Sequence, residues 1–383
     1  MGDRLLIMDD EKEFASFVGK VAESAGYEVR MTDDPAVFRT LLAEWEPSHI
    51  ALDLAMPQAD GVEMLRFLAG QGCRAQIVIM SGFDNRVVEA AQRLGMERGL
   101  AIVGALQKPV RAKDLRVLLD SRRHATNTVS EASLDLALDA GEITPFYQPK
   151  VDLQSWRPIG FEALVRWHHA QLGTIDPDSF VPMAEASGQI ERLTEAVTTR
   201  AMVQSRQWRQ QGIETELAIN LSAHSLDDEG LADRLETMCW ATGAPKEHIS
   251  FEVTETAAMA DPVRGLDILT RLRIKGFRLS IDDFGTGYSS LVQLHRLPFS
   301  ELKIDRSFVA ECDRSAEARV IVKTIVDLAH NLGMSVVGEG VETDGIARTL
   351  SEMGCDIGQG YAIAKPMEPS AVPGWLERWG GTA

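Results

Sequence analysis

A chain of 383 residues, 45% hydrophobic and 25% charged, has the balance of a soluble globular protein and the length of two domains of unequal size. Its 39 Lys and Arg against 57 Asp and Glu leave a net charge of −18, which argues against a nucleic-acid polymer as partner, because neutralising many phosphates takes clustered cations. No apolar run approaches the roughly 18 residues of a membrane span, so no membrane partner is expected.

Residues 4–120 alternate short apolar runs with amphipathic segments. The strand-like runs are Arg4–Met8, Tyr27–Met31, His49–Leu52, Gln76–Met80 and Ala101–Leu106, with helical patterns such as Glu13–Ala25 and Asp84–Gly95 between them. Five strands alternating with helices predict a doubly wound, flavodoxin-like parallel sheet. Residues 121–133 are polar and lack a packing stripe, so the first domain is set at 1–122, a linker at 123–133 and the second domain at 134–383. From Leu134 the alternation resumes in longer units, with strand-like runs near 145–151, 159–166, 216–221, 249–254, 277–281, 300–304, 334–338 and 358–363. Eight such runs in about 250 residues predict a TIM-like (β/α) barrel.

In the first domain, Asp9 and Asp10 follow the first run, Asp53 ends the third, Ser81 ends the fourth and Lys108 follows the fifth. In an open parallel sheet these ends share one edge, where ligands bind. Three carboxylates there suit Mg²⁺. A metal would neutralise an incoming phosphoryl group while Asp53 attacks as nucleophile, and Ser81 and Lys108 would bind the phosphoryl oxygens. Solvated caps at loop starts would explain Asp9 and Asp10 alone. They do not explain the full set with Lys108–Pro109 and Asp53-x-x-Met56-Pro57-x-x-Asp60-Gly61. On these residues, positions 3–120 resemble the response-regulator receiver family, which implies phosphorylation of Asp53 by a cognate histidine kinase. Two features depart from that family. Ala105 stands three positions before the lysine, where an aromatic switch residue is usual, and the Gly99–Gly104 stretch is atypical.

In the second domain, carboxylates and one amide recur at the ends of the apolar runs: Glu162, Asn220, Glu252 with Glu255, the pair Asp282–Asp283, and Glu339, with Lys303 preceding Ile304-Asp305. Barrel strands bring such ends to one catalytic face. So many converging carboxylates would repel one another without a cation. Oxygen-only ligands favour Mg²⁺ or Mn²⁺ over zinc, and two adjacent aspartates can bridge two metals roughly 3.5–4 Å apart for in-line displacement at phosphorus. Lys303, placed among cations, is expected to have a lowered pKa and to accept a proton from water, or else to act as a fixed charge beside a phosphate. Arg166 can bind a phosphate through its planar fork. The stretch Asp282 to Ser290 is expected to be a lid over the site, anchored by Glu255.

Residues 134–380 resemble the EAL-domain cyclic-di-GMP phosphodiesterases, through Glu162-Ala163-Leu164, Tyr147-Gln148-Pro149, Asn220-Leu221-Ser222, Glu252-x-Thr254-Glu255, the DDFGTGYSS loop, Lys303-Ile304-Asp305, Glu339-Gly340-Val341-Glu342 and Gln359-Gly360-Tyr361. The resemblance implies a barrel with an antiparallel first strand and hydrolysis of cyclic-di-GMP to linear pGpG. It implies that Glu162, Asn220, Glu252 and Asp282 bind one metal. Asp282, Asp283 and, directly or through water, Glu339 would bind a second. Lys303 would activate water, while Gln148, Leu164, Arg166, Asp305 and Gln359 contact substrate. Gly338 replaces an alanine common before the last glutamate. No metal ligand of the motif set is missing, unlike in relatives that bind the dinucleotide without cutting it. Homo-oligomers, dimeric or larger, are expected from the family. Cys73, Cys239, Cys312 and Cys355 are far apart with no CxxC pair, which fits a reducing compartment. The N-terminal run meets Asp9 and Asp10 before a signal-peptide core can form, and Leu6 does not suit a myristoylation signal. A cytoplasmic protein is expected.

Overall fold

The computed structural model describes residues 3–57, 60–82, 85–108, 110–120, 130–286 and 291–380. Its contacts divide the chain into two units, Met1–Thr128 and Val129–Ala383.

The first unit is built on β1 (Arg4–Met8), β2 (Glu28–Thr32), β3 (His49–Asp53), β4 (Gln76–Ser81) and β5 (Ala101–Gln107), all parallel, in the order β2-β1-β3-β4-β5. The central strands are apolar on both faces because helices cover both. Leu6, Ile50, Leu52, Ile77 and Ile79 pack on one side, and Leu5, Ile7, Ala51, Val78 and Met80 on the other. Strand order reverses between β1 and β3, which makes their carboxyl ends the crevice of the sheet. Asp9 lies just past β1 and Asp53 closes β3. β5 is irregular: its register against β4 jumps so that Ile77 pairs with Ile102 but Val78 with Gly104. Val103 is the extra residue of this bulge. A Cβ on Gly104 would meet Leu118 at 2.8 Å, so the atypical glycine lets β5 lie close to the last helix of the unit.

The second unit opens with a helix, Glu131–Ala140. Ser130 and Ser133 cap it reciprocally, and it buries Leu134 and Ala137 beside Trp167, Phe180 and Leu193. Then come β6 (Ile143–Asp152), β7 (Pro158–His169), β8 (Gly173–Ile175), β9 (Glu216–Asn220), β10 (Ile249–Thr254), β11 (Arg278–Phe284), β12 (Glu301–Ile304), β13 (Ser335–Gly338) and β14 (Ile357–Gly358). The sheet runs β6-β14-β13-β12-β11-β10-β9-β7, and the pairing of β6 with β7 closes it into a barrel of eight strands. β6 is antiparallel to both of its neighbours, as the resemblance implies, and the other barrel neighbours are parallel. β8 lies outside the barrel, hairpinned onto β7. The run expected over 358–363 contributes only Ile357–Gly358 to the sheet. Gln359 continues by donating to the Gly338 carbonyl and accepting from Val341.

Alternation then sorts the barrel side chains. Leu217, Ile219, Phe251, Val253, Leu279, Ile281, Leu302 and Ile304 belong to the main apolar core. The intervening residues are Ala218, Asn220, Ser250, Glu252, Ser280, Asp282 and Lys303, so the opposite face of these strands is polar except at Ala218. No helix among the described residues is long and apolar enough to cross a membrane. Residues 121–129 of the polar stretch 121–133, residues 287–290 of the 282–290 loop, and Pro109 lie outside the described residues.

Candidate active site

The barrel strands end in a cluster of ionisable groups around one lysine. The Nζ of Lys303, a side chain only 1% exposed, lies 2.8 Å from Glu252 on β10, 2.8 Å from Glu339 just past β13, 3.1 Å from Asp282 on β11 and 3.5 Å from Glu162 on β7. Oxygens of Glu162, Glu252 and Asp282 lie within 4.8 Å of one another, as do oxygens of Asp282, Asp283 and Glu339. Asp282 is common to both sets. The donors suit hard cations such as Mg²⁺ or Mn²⁺, since neither set includes a thiolate or imidazole. A further observation favours a cation: Oε1 of Glu252 is buried and accepts no hydrogen bond. Asn220 donates its amide to Glu162 Oε1 at 2.8 Å, which turns its own oxygen away from that bond and leaves it as a potential ligand.

Two consecutive strand residues normally point to opposite faces, yet both Asp282 and Asp283 reach this cluster. The register of β11 against β12 slips between Ile281 and Phe284, and Asp283 has a φ of +54°. The bulge turns Asp283 back toward its neighbour, at a cost of about 1–3 kcal/mol for a left-handed non-glycine residue. Two residues on, the N–H of Gly285 donates to Oε2 of the buried Glu255 at 2.8 Å. Gly285 has a φ of +102°, and a Cβ there would lie 2.7 Å from Phe308. We therefore expect Gly285→Ala to displace the end of β11, lowering turnover by about 10²-fold through a small misplacement of the two aspartates. Steady-state kinetics checks this; unchanged turnover would show that the Glu255 contact does not position them.

Burial and mutual repulsion pull the cluster apart electrostatically. Burial raises Glu252 well above the ordinary carboxyl value, with Glu162 adding to the effect. Burial, then Asp282 and Asp305, push Asp283 up to about 6. Burial also raises Glu339 to about 7, against the pull of Lys303. Glu162 goes the other way, to about 2, because Lys303, Gln359 and Asn220 outweigh its burial. Lys303 is pulled both ways: burial alone would lower it, but Asp282, Glu162, Glu252 and Glu339 together raise it well above the usual ammonium value. The lowered pKa expected from the sequence needs metal charge beside the lysine; the carboxylates on their own do the reverse.

A pH dependence follows. Asp283 and Glu339 titrate above their unfolded values of 3.8 and 4.5, so the folded chain holds extra protons between those values and about 7. Their contribution to stability is present at the acid end of that window and is lost as pH rises through it. Divalent cations need the ionised carboxylates. Added Mg²⁺ should therefore raise the melting temperature more at pH 8 than at pH 5.5, and Glu339→Gln should shrink that difference. Thermal denaturation of both proteins at the two pH values checks it, and an Mg²⁺ effect independent of pH would contradict it.

The remaining sequence-assigned residues fall in three places. Gln359 donates to Glu162 Oε2 at 2.6 Å and to Gln148 Oε1 at 3.2 Å, so both glutamines join the cluster. Arg166 and Leu164 lie farther along β7, and the Arg166 guanidinium donates to the Val165 carbonyl at 2.7 Å. Asp305 caps the short helix Arg306–Val309 through the Ser307 N–H. Lys150 and Glu301, which no sequence motif singles out, pair at 2.7 Å inside the barrel. Their spacing was the available signal: each lies two positions from an assigned residue on its own strand, Gln148 and Lys303.

The first unit has its own cluster. Carboxylate oxygens of Asp9, Asp10 and Asp53 lie within 4.8 Å of one another. Lys108 Nζ is 2.8 Å from Asp53, 3.0 Å from Asp9 and 2.9 Å from Glu11. These hydrogen bonds outweigh burial and raise Lys108 above its ordinary value. The Lys108 ammonium also lies 4.4 Å from the Phe14 ring centroid. No sequence motif marks Glu11 or Phe14 for this cluster. Ser81 is fully buried at the end of β4, and its carbonyl accepts the Lys108 N–H at 2.8 Å. Ala105 is half-buried, paired with Ile79.

Comparison with known proteins places both units. Residues 131–366 match the EAL domain. The chain belongs to the EAL domain family. Residues 5–120 match the response regulator receiver domain, so this EAL protein carries a receiver ahead of its barrel. It is 34% identical over 325 residues to the cyclic di-GMP phosphodiesterase RocR of Pseudomonas aeruginosa, covering 82% of this chain and 83% of RocR. It is 42% identical over 232 residues to the bifunctional diguanylate cyclase/cyclic di-GMP phosphodiesterase MucR of the same organism, where the match covers 60% of this chain and only 34% of MucR. Among solved structures, the MucR phosphodiesterase in complex with c-di-GMP superposes with a TM-score of 0.61 at 40% identity, covering 63% of this chain and 98% of that one.

Proposed function

We propose that this EAL protein is a response regulator whose barrel hydrolyses cyclic-di-GMP to linear pGpG, and whose receiver controls that activity through phosphorylation of Asp53. The observation that carries the reading is the convergence of four carboxylates on one buried lysine, with Asp282 shared between two oxygen-ligand sets. The carboxylates Glu162, Glu252, Asp282, Asp283, Glu301 and Glu339 outnumber the ammonium groups of Lys150 and Lys303, an excess that bound divalent cations would offset.

In this reading Glu162, Asn220, Glu252 and Asp282 hold one Mg²⁺ or Mn²⁺. Asp282, Asp283 and, directly or through water, Glu339 hold the other. Such a pair supplies a water of lowered pKa and charge to stabilise the attacked phosphoryl group. Lys303 takes the proton of the attacking water. One water is consumed, one P–O ester bond breaks, and the departing ribose oxygen leaves protonated. Gln148 and Gln359, bonded to each other beside Glu162, contact the substrate together with Leu164, Arg166 and Asp305. Glu255 anchors the loop that begins at Asp282. RocR and MucR, both named as cyclic di-GMP phosphodiesterases, support the substrate.

In the receiver, Asp9, Asp10 and Asp53 hold Mg²⁺, and Lys108 and Ser81 bind the phosphoryl oxygens once a histidine kinase has phosphorylated Asp53. The protein acts in the cytoplasm as a homo-oligomer, dimeric or larger; its free cysteines fit that compartment.

Purified protein incubated with cyclic-di-GMP and Mg²⁺ or Mn²⁺ should give a pGpG peak on chromatography that is absent without metal and in Glu162→Ala. Tight binding with no product under either metal would make the barrel a sensor instead. A small-molecule phosphodonor should change turnover of the wild type and leave Asp53→Asn unaffected. An unresponsive wild type would mean that the receiver, with Ala105 in place of an aromatic switch, serves assembly rather than control.

A further inference from the structure

The barrel interior holds two more charges that none of the proposed steps uses. Such interiors are ordinarily filled by layers of branched apolar side chains. Here Lys150 of β6 and Glu301, the first residue of β12, meet at 2.7 Å with side chains only 6% and 10% exposed. Strand alternation puts Lys150 on the same face as Gln148 and Glu301 on the same face as Lys303.

A buried ion pair gives little reason for its own existence as a stabilising element. Desolvation costs several kcal/mol per ion, and an apolar pair of similar volume commonly does as well or better. The second contact of Lys150 supplies a reason. Its ammonium lies 3.8 Å from Oε1 of Glu252, the oxygen that is buried and accepts no hydrogen bond. The other oxygen of that carboxylate accepts from Lys303 at 2.8 Å. Glu301, Lys150, Glu252 and Lys303 thus form a column of alternating charge leading into the cluster. Lys303 is shared among four carboxylates. Among the described residues, the ion pairs of Lys150 are with Glu252 and Glu301 alone.

We propose that Lys150 is a positioning residue for the hydrolysis: braced by Glu301, it fixes the Glu252 carboxylate in the orientation that holds a divalent cation. This rests on the reading of Glu252 as a cation ligand. Groups that orient a ligand from outside typically contribute 10–100-fold to metal affinity or activity. Charge counting alone gives the opposite sign, since deleting a positive charge beside a cation site should tighten it. The direction of the change in cation affinity therefore separates positioning from net charge.

The test is Mn²⁺ binding to the full chain without substrate, by calorimetry, together with thermal denaturation. The barrel component is defined as the binding lost in Glu252→Gln. Lys150→Met should weaken that component by about 10–100-fold and lower the melting temperature, because Glu301 is left buried and unpaired. In Lys150→Met/Glu301→Gln the melting temperature should recover while Mn²⁺ binding stays weak. That split supports positioning. Wild-type or tighter Mn²⁺ binding in the double variant would overturn it and reduce Lys150 to a partner for Glu301. If Glu252→Gln itself removes no Mn²⁺ binding, the assignment of Glu252 as a ligand fails, and the proposal fails with it.

Discussion

Asp282→Asn is expected to remove nearly all phosphodiesterase activity while leaving the fold intact. Asp282 is the one carboxylate common to both oxygen sets, each drawn together within 4.8 Å. Exchanging it for an amide keeps its shape and removes a charge from both at once. Metal ions contribute several kcal/mol of transition-state stabilisation, and at about 1.4 kcal/mol per decade a loss of that size is on the order of 10³-fold or more in turnover. The folded state should survive, because the substitution also relieves repulsion: Asp282 is a cause of the raised pKa of Asp283, Glu252 and Glu339. Turnover measured beside a melting curve checks both halves. A variant with substantial activity would mean that Asp282 does not bridge the two sets.

Lys303→Met is expected to have the second large effect, on stability as well as on rate. The ammonium is buried and lies within 3.5 Å of Glu162, Glu252, Asp282 and Glu339. Removing one partner of a buried charge cluster costs about 3–5 kcal/mol, and the loss of a proton-transfer group costs about 10²–10⁴-fold in rate. Mg²⁺ should restore the melting temperature of Lys303→Met more than it raises that of the wild type, because the metal replaces the missing counter-charge. Lys303→Arg separates the two roles of the lysine. Arginine keeps the charge but does not give up its proton in proteins. Activity retained in Lys303→Arg would make Lys303 a fixed charge beside the phosphate; activity lost in both variants would make it the proton acceptor.

Much of this site was legible because strand alternation separates two kinds of residue. In Phe251-Glu252-Val253 and Leu279-Ser280-Ile281-Asp282, the apolar members belong to the main core and the polar ones lie between them, so reading the strands also located the carboxylate cluster. What stayed hidden depended on features without a local pattern. β8 has only three residues, below the length at which alternation can be recognised. The helix Glu131–Ala140 begins in a polar stretch read as linker, and only its Leu134 and Ala137 are buried. The bulge in β11 that brings Asp283 back to Asp282 depends on one left-handed residue, which the strand pattern does not announce. Glu11 reaches Lys108 across 97 positions of sequence. The Lys150–Glu301 pair spans 151 positions; the two-residue spacing from Gln148 and Lys303 marks the strand face of each residue, but their pairing appears only when the barrel closes.

If water held in this barrel attacks a phosphorus of cyclic-di-GMP, one oxygen of the product comes from the solvent. The most direct test is mass spectrometry of the product formed by the full chain with Mn²⁺ in ¹⁸O-labelled water. Linear pGpG carrying a single ¹⁸O on its terminal phosphate is the expected result. Unchanged cyclic-di-GMP, or pGpG whose phosphate carries no label, would contradict it.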